Sequence, residues 1–235
     1  MNSCTAVFLW HPVKVVYGIY AYLCSMKLNT ELEKYIEKEI LPRYDHFDKA
    51  HQRDHALSVI HESLVLAESY PVNPDMVYAI AAFHDTGLAE NRERHHLISG
   101  HIIRHDDTLK TFFTPEEIEV MAQAAEDHRA SSNHPPRSIY GCIVAEADRL
   151  IDAHTITSRT IQFSLSHYPM LDKEGHYQRF CEHMKEKYAD GGYLKCYIPE
   201  SDNATRLKAF RALLQNPQQT RSLFEEEWDK LEAEA

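Results

Sequence analysis

Apolar positions after residue 26 of this chain recur at the spacing of a helix. The clearest stripe has residues at i, i+3, i+4 and i+7 on one predicted buried face: Val77, Ile80, Ala81 and His84. Asn73 followed by Pro74 predicts the start of this helix, with an N-cap and then Pro at the first helical position. Gly87 is the predicted stop. His84 is therefore expected near the C-terminal end of a buried helix face.

Helix starts elsewhere are marked by capping boxes at residues 30–33 and 114–117. The first predicts Thr30 as the N-cap of a helix that runs to about Leu41 and ends at Pro42. The second predicts a helix after Thr114 with one stripe of inward positions: Ile118, Met121, Ala125 and His128. A further helix carries His55 and ends near residue 70, and others are predicted at about 96–106, 138–153, 155–166, 172–188, 202–215 and 218–233.

Composition supports an all-α fold. The chain has 235 residues, of which 43% are hydrophobic and 26% charged, and only seven are glycines. This length suits one domain with a full core, and the scarcity of Gly favours helices over a many-turned β fold. Residues 26–235 are predicted to form a single helical bundle, with its motifs between about 50 and 160 and additional helices on the C-terminal side.

Charge and cysteine content limit the partners and the compartment. The formal net charge of −11 argues against non-specific binding to nucleic acid or to an anionic membrane. It does not exclude a small anionic substrate beside a metal ion. The five cysteines are scattered, with no C-x-x-C pair, which favours a reducing compartment and hence the cytoplasm. The oligomeric state is left open.

The first 25 residues differ in pattern from the rest. Apolar runs at 6–10 and 15–20 are divided by His11, Pro12 and Lys14, so neither approaches the roughly 18–20 apolar residues of a membrane span. No basic region precedes the first run, as a signal peptide would require. These residues are expected to be an N-terminal extension, or translation begins at Met26, and no function is assigned to them.

Adjacent His84 and Asp85 are the first candidates for chemistry. They close the apolar run 79–83, whereas a second pair, His105 and Asp106, lies among polar residues and is typical of a solvated helix end. Burying an unpaired carboxylate requires a cation or several hydrogen-bond donors. A divalent metal meets that need, because imidazole and carboxylate are good ligands for Zn, Mn or Fe.

His55 and Asp148 are the matching candidates before and after this pair. His55 lies one predicted helix upstream. Asp148 completes an i, i+3, i+4, i+7 stripe whose other members are small or apolar: Gly141, Val144 and Ala145. Its carboxylate is therefore predicted to point inward, where it again requires a positively charged partner.

This order, H…HD…D on successive helices, resembles the HD superfamily of metal-dependent phosphohydrolases. Three segments look like its first histidine motif, its naming motif and its ADRLDA segment: residues 50–55 (AHQRDH), 83–87 (FHDTG) and 146–153 (EADRLIDA). The resemblance implies four metal ligands: His55, His84, Asp85 and Asp148. Ser58 departs from the pattern, since many members carry Arg there, and this puts a local salt bridge in doubt rather than a ligand.

Two more histidines resemble those of superfamily members that bind two metals. His96 begins an H-x-x-x-G element, and His128 ends an apolar stripe. Together they would complete a binuclear site, or they contact substrate phosphate or cap helices instead. Five residues near the predicted ligands are candidates for substrate binding: His51, Arg92, Arg94, His95 and Arg129.

The resemblance implies hydrolysis of a phosphate ester or anhydride of a small molecule, with nucleotides as one candidate class. Asp85 is expected to act as a ligand and proton acceptor. The expected cofactor is one or two divalent ions per chain, with Mn, Zn, Fe, Co and Ni not distinguished. Two alternatives stay open: a binuclear iron oxygenase on the same scaffold, and a non-catalytic module with a structural metal. No basic stripe, Gly-rich phosphate loop or interleaved aromatic residues indicate a nucleic-acid binder.

Overall fold

The computed structural model of the chain describes residues 28–48 and 51–234, and their regular structure is helical with no strand. The predicted all-α fold is confirmed. The predicted N-terminal extension, residues 1–25, lies outside the described residues. The α-helices are α1 (Thr30–Tyr35), α2 (Arg53–Ala67), α3 (Pro74–Phe83), α4 (His95–His105), α5 (Pro115–Asp127), α6 (Ile139–Ala147), α7 (Ala153–His167), α8 (Lys173–Lys187), α9 (Asn203–Leu214) and α10 (Pro217–Glu234).

Helix α3 lies at the centre of the first core. Its side chains from Met76 to Phe83 are all buried, and it packs against α2, α5 and α6. Nearly every position in it is apolar or Ala, so the helix has no polar face for solvent. Its C-terminal end consequently lies inside the bundle, where His84 and Asp85 are both buried.

The start of α1 differs from the prediction. The N-cap is Asn29, whose Oδ1 accepts hydrogen bonds from the backbone N–H groups of Glu31 and Leu32 at 3.0 and 3.3 Å, so the predicted Thr30 cap is wrong by one residue. The α-helix also ends early. It continues as a π-helical turn, Ile36–Ile40, and a 3₁₀-helix, Leu41–His46, which contains the Pro42 that was expected to end the helix.

The two other predicted helix starts are confirmed. Asn73 caps α3 by accepting from the backbone N–H of Asp75 at 3.0 Å. Thr114 caps α5 with both bonds of the capping box: Glu117 N–H donates to its hydroxyl at 3.3 Å, and the Glu117 carboxylate accepts from its N–H at 2.8 Å. These bonds satisfy N–H groups that the first turn leaves free.

The helix predicted at 138–153 is two elements. Ser138 caps α6, which ends at Ala147 with Asp148 as its C-cap. Asp152 then caps α7, because its carboxylate accepts from the backbone N–H of Thr155 at 2.8 Å. An N-cap has non-helical backbone angles, so the chain turns between the two helices. Asp148 is therefore placed at a helix end and not in a helix interior.

Helices α7 to α10 pack around a second apolar cluster and form the additional C-terminal helices. Phe180 and Phe224 are fully buried in it, with ring centroids 5.5 Å apart. Ile198, between α8 and α9, packs into the first core instead. No helix of the described chain is both long and apolar enough to cross a membrane.

The carboxylate of Glu146, fully buried in α6, joins the two parts. Oε2 accepts from the backbone N–H groups of Tyr197 and Ile198 at 2.6 and 3.4 Å, and Oε1 accepts from the Ser201 hydroxyl at 2.6 Å. Asp148 lies two residues further along the same turn. The segment between α8 and α9 is thus fixed to the helix end that carries Asp148.

Candidate metal centre

Six side chains with metal-binding atoms converge where helices begin or end. His84, His128 and Asp148 are the C-cap residues of α3, α5 and α6, Asp85 follows His84, His95 is the first residue of α4, and His55 lies in the first turn of α2. Three helix C-termini therefore meet at one place. The partial negative charge of their free carbonyl groups favours a cation there.

The first group consists of His55, His84 and Asp148. The Nε2 atoms of the two histidines are 3.4 Å apart, and Asp148 Oδ1 lies 3.2 Å from His55 Nε2 and 3.8 Å from His84 Nε2. Two imidazole nitrogens and a carboxylate oxygen are a donor set that suits Zn, Mn or Fe. The three atoms are close enough for one divalent ion to contact all of them.

The second group consists of Asp85, His95 and His128. Asp85 Oδ1 lies 3.3 Å from His95 Nε2 and 3.4 Å from His128 Nε2. The two Nε2 atoms are 3.2 Å apart. This group repeats the two-nitrogen, one-oxygen donor set of the first.

Asp85 lies between the two groups. Its Oδ1 faces the second group, while its Oδ2 lies 3.3 Å from His84 Nε2 and 3.7 Å from His55 Nε2 in the first. One carboxylate thus directs an oxygen at each cluster of histidines. Such a carboxylate can serve two metal ions at once, which is the arrangement a binuclear centre needs.

Backbone carbonyl groups fix the orientation of three of the four histidines. In each, Nδ1 lies within hydrogen-bond distance of the carbonyl oxygen three residues earlier, at 2.7 Å for His84, 2.7 Å for His95 and 2.5 Å for His128. A carbonyl oxygen can only accept, so Nδ1 carries a proton and Nε2 is the nitrogen that a metal ion would bind in place of the second proton. Metal-binding histidines are commonly oriented in this way.

The charges of the two groups shift one another's pKa values. Burial lowers the pKa of His84, but Asp85 and Asp148 outweigh it and raise that pKa to about 9. Burial opposes ionisation of Asp85, but His84 and His128 hold its pKa well below the usual range. Both effects stabilise charge pairs in a buried place. A divalent cation can supply the same positive charge to these carboxylates.

The second group contains His95, whereas the H-x-x-x-G spacing pointed to His96. Successive residues of a helix are turned by about 100°, so only one of the two neighbours can face the site. His95 does so, and burial together with His128 lowers its pKa to about 4, which keeps its imidazole neutral as a ligand must be. His96 has its ring centroid 5.5 Å from that of His95. A contact between His96 and substrate phosphate stays a prediction.

Two predicted substrate-binding residues are held by one acidic residue at the edge of the site. His51 Nδ1 lies 2.9 Å from Asp48 Oδ1, and Arg92 forms an ion pair with Asp48 Oδ2 at 2.5 Å. The His51 ring centroid is 5.8 Å from that of His55, so His51 is a neighbour of a candidate ligand. Arg92 lines a cavity of about 590 Å³ with Thr86. Neither belongs to a metal-binding group.

The other two predicted arginines lie beside the second group. Arg94 is the N-cap residue of α4 and its backbone N–H donates to Asn91 Oδ1 at 3.0 Å. Arg129 follows His128 and donates from its guanidinium to the backbone carbonyl of Glu93. Their roles in substrate binding stay predictions.

Tyr44 is also part of the site, although no sequence motif indicates it. Its buried hydroxyl donates to the carbonyl oxygen of Ala82 at 2.9 Å and accepts from the backbone N–H of Asp85 at 3.3 Å. The hydroxyl thereby bridges the end of α3 and holds the turn that presents Asp85. No local pattern around Tyr44 indicates this contact, because its partners lie about 40 residues further on.

The described chain is a helical domain with two adjacent His/Asp clusters that could each hold a metal ion. Residues 53–152 match the family model of the HD domain, and this range contains all six side chains of the two groups. This segment is therefore an HD domain, and the resemblance to the HD superfamily that the motifs indicate is confirmed. No curated protein and no solved structure matches the chain significantly.

Proposed function

We propose that this chain is a metal-dependent phosphohydrolase that acts on a phosphate ester or anhydride of a small molecule. The observation that supports this best is the carboxylate of Asp85, whose two oxygens face two separate groups of histidines. The HD family consists mostly of metal-dependent phosphohydrolases, and paired divalent ions suit phosphoryl transfer.

The residues of the site divide into two sets of ligands in this proposal. One divalent ion would be held by His55, His84 and Asp148, and a second by His95 and His128, with Asp85 offering an oxygen to each. When bound, such ions acidify a water molecule and offset the negative charge of the phosphoryl oxygens. The carbonyl groups behind the Nδ1 atoms keep the rings turned toward the ions, so no reorientation accompanies the reaction.

In the reaction, the oxygen of water forms a bond to phosphorus and the bond from phosphorus to the leaving oxygen breaks. The attacking water gives up one proton and the leaving oxygen takes one up, so the reaction balances in protons. Asp85 is a poor proton acceptor, because His84 and His128 hold its pKa well below the usual range. Its part in this proposal is that of a shared ligand, and proton uptake from water by Asp85 stays a prediction.

The test combines metal analysis with two activity assays on protein purified without a histidine tag. We expect one or two equivalents of Mn, Zn, Fe, Co or Ni per chain, and release of inorganic phosphate from some members of a panel of sugar phosphates and nucleotides. His84→Ala should lose both properties. His167→Ala is the matched control, since its imidazole is exposed at the end of α7 and belongs to none of the groups in the described chain that could hold a metal ion.

Three other outcomes would reject the proposal. Iron with oxygen consumption and no phosphate release would identify an oxygenase on the same scaffold. Bound metal without turnover of any substrate, combined with unfolding on metal removal, would identify a structural metal. Equal metal content in wild type and His84→Ala would show that the clusters do not bind metal.

A further inference from the structure

A cavity of about 510 Å³ lies directly beside the second metal-binding group. Two of its lining residues, His96 and Arg129, follow the candidate ligands His95 and His128 in the chain. The ring centroids of His95 and His96 are 5.5 Å apart. A lining residue of the cavity, His96, is therefore in ring contact with His95, a candidate ligand of the second group.

Arg129 brings a positive charge to this cavity that no acid neutralises. Its guanidinium donates to the backbone carbonyl of Glu93, and a carbonyl group carries no net charge. Across residues 28–48 and 51–234, no carboxylate lies within ion-pair distance of it. By contrast, Arg137 in the same cavity is 2.6 Å from Glu126 and 2.8 Å from Asp127.

The one acidic residue that lines the cavity is already neutralised. Glu126 accepts hydrogen bonds from Arg104 at 2.5 Å and from Arg137 at 2.6 Å. The carboxylate of Glu126 is thus paired with Arg104 and Arg137. The guanidinium of Arg129 therefore remains available to an anionic ligand.

Other donors line the cavity beside Arg129. The Nδ1 atom of His96 is buried and has no hydrogen-bond partner in the described part of the chain, although buried nitrogens are rarely left so. His96 and Leu97 also form the first turn of α4, whose start has no side-chain cap, so its first N–H groups lack helical partners. Ser132 and Asn133 add a hydroxyl and an amide.

We propose that this cavity binds a second phosphate group of the substrate, at a distance from the phosphoryl group that is hydrolysed. This rests on the proposed function, since it places the reacting phosphoryl group at the two His/Asp clusters. A guanidinium with free N–H groups, a buried imidazole nitrogen and uncapped backbone N–H groups are the donors that recognise phosphate oxygens. The substrate class is then a small molecule with two phosphate groups.

The test measures binding rather than turnover, with probes that cannot be hydrolysed. Isothermal titration calorimetry on the Mn²⁺-loaded protein compares pentylphosphonate with propane-1,3-, pentane-1,5- and heptane-1,7-bisphosphonate. We expect at least one bisphosphonate to bind roughly tenfold or more tightly than pentylphosphonate, because the second group gains charge-assisted hydrogen bonds. In Arg129→Ala, the affinity for the preferred bisphosphonate should fall to the affinity for pentylphosphonate.

Control variants separate this role from a general loss of charge or fold. Arg206→Ala removes an exposed arginine of α9 that pairs with Asp202, and it should leave every affinity unchanged. Arg129→Lys should recover part of the preference, since it keeps the charge and loses the fork geometry. Thermal melting of all variants checks that Arg129→Ala is folded.

Equal affinity for the monophosphonate and every bisphosphonate would overturn the proposal, as would an Arg129→Ala variant with unchanged preference or no measurable binding of any bisphosphonate. A phosphate-release assay on the same preparations distinguishes the two proposals. A preference that depends on Arg129 without hydrolysis of any phosphate ester would reject the phosphohydrolase and keep the cavity assignment. Hydrolysis of a phosphate ester without a preference for any bisphosphonate would keep the phosphohydrolase and reject the cavity assignment.

Discussion

Oδ2 of Asp85 lies 3.3 Å from Nε2 of His84, its neighbour in the chain, and Oδ1 of the same carboxylate faces the second group of histidines. Two consecutive residues at the end of one buried helix therefore serve both groups. The turn that makes this possible is held by the hydroxyl of Tyr44, which bonds to backbone atoms on both sides of it. Metal binding at the first group is consequently expected to depend on metal binding at the second.

Substitution of the shared carboxylate should weaken both metal sites, whereas substitution of an unshared one should weaken a single site. We expect Asp85→Asn to lower the affinity for both metal equivalents by more than about 100-fold, since loss of even an outer partner of a ligand costs roughly 10–100-fold. Asp148→Asn should affect one equivalent only. Calorimetric titration with Mn²⁺ measures this, and loss of a single equivalent in Asp85→Asn would contradict the shared role.

The identity of the second histidine can be decided by a pair of neighbouring variants. His95→Ala should lose the second metal equivalent, because its Nε2 lies 3.3 Å from Asp85 Oδ1. His96→Ala should keep both equivalents and lose part of the preference for a bisphosphonate over pentylphosphonate. Elemental analysis after dialysis gives the counts. The opposite pattern, with metal lost only in His96→Ala, would restore the assignment that the H-x-x-x-G spacing indicated.

Local signals in the sequence predicted the helices well where the signal and its effect lie within one turn. The capping box at Thr114 and the cap at Asn73 involve residues two or three positions apart, so the sequence contains both partners. The wrong N-cap assignment at Thr30 is also a local error, because the true cap, Asn29, is the preceding residue. Asn29 and Thr30 are adjacent residues that both favour the N-cap position, and the pattern alone does not choose between them.

The site was predictable only in part, for a related reason. The buried carboxylate of Asp85 requires a positive partner or several hydrogen-bond donors, so this part of the site chemistry follows from burial. The choice of His95 over His96 depends on the rotation of α4, which tertiary packing sets. Tyr44 and Glu146 form hydrogen bonds with partners about 40 and 50 residues further along the chain. No spacing in the sequence predicts contacts over such a separation.

Glu146 is predicted to connect the site to the C-terminal helices. Glu146→Ala should destabilise the protein by about 2–4 kcal/mol, because two backbone N–H groups and a hydroxyl lose a buried charged acceptor. Urea unfolding measures this, and hydrogen exchange should show loss of protection at Tyr197 and Ile198. Glu182→Gln, on the exposed face of α8, should stay within about 0.5 kcal/mol of wild type. Unchanged protection at Tyr197 would show that Glu146 does not hold this segment.

His183 in α8 should make the stability of the protein depend on pH. Burial, with Lys187 and Arg179 nearby, lowers its pKa from 6.5 to about 4. Between these two values the unfolded chain binds a proton that the folded protein does not, so stability falls as pH falls from about 6.5 toward 4. Above pH 6.5 both states are neutral and the contribution is constant.

The measurement compares urea unfolding of wild type and His183→Gln at pH 7.5 and pH 5.0. Other histidines titrate in both proteins, so the difference between the two pH dependences isolates His183. Wild type should lose on the order of 1 kcal/mol more than the variant between these pH values. If both proteins lose the same stability, then His183 is protonated as readily in the folded protein as in the unfolded chain, and its burial has no effect on its charge.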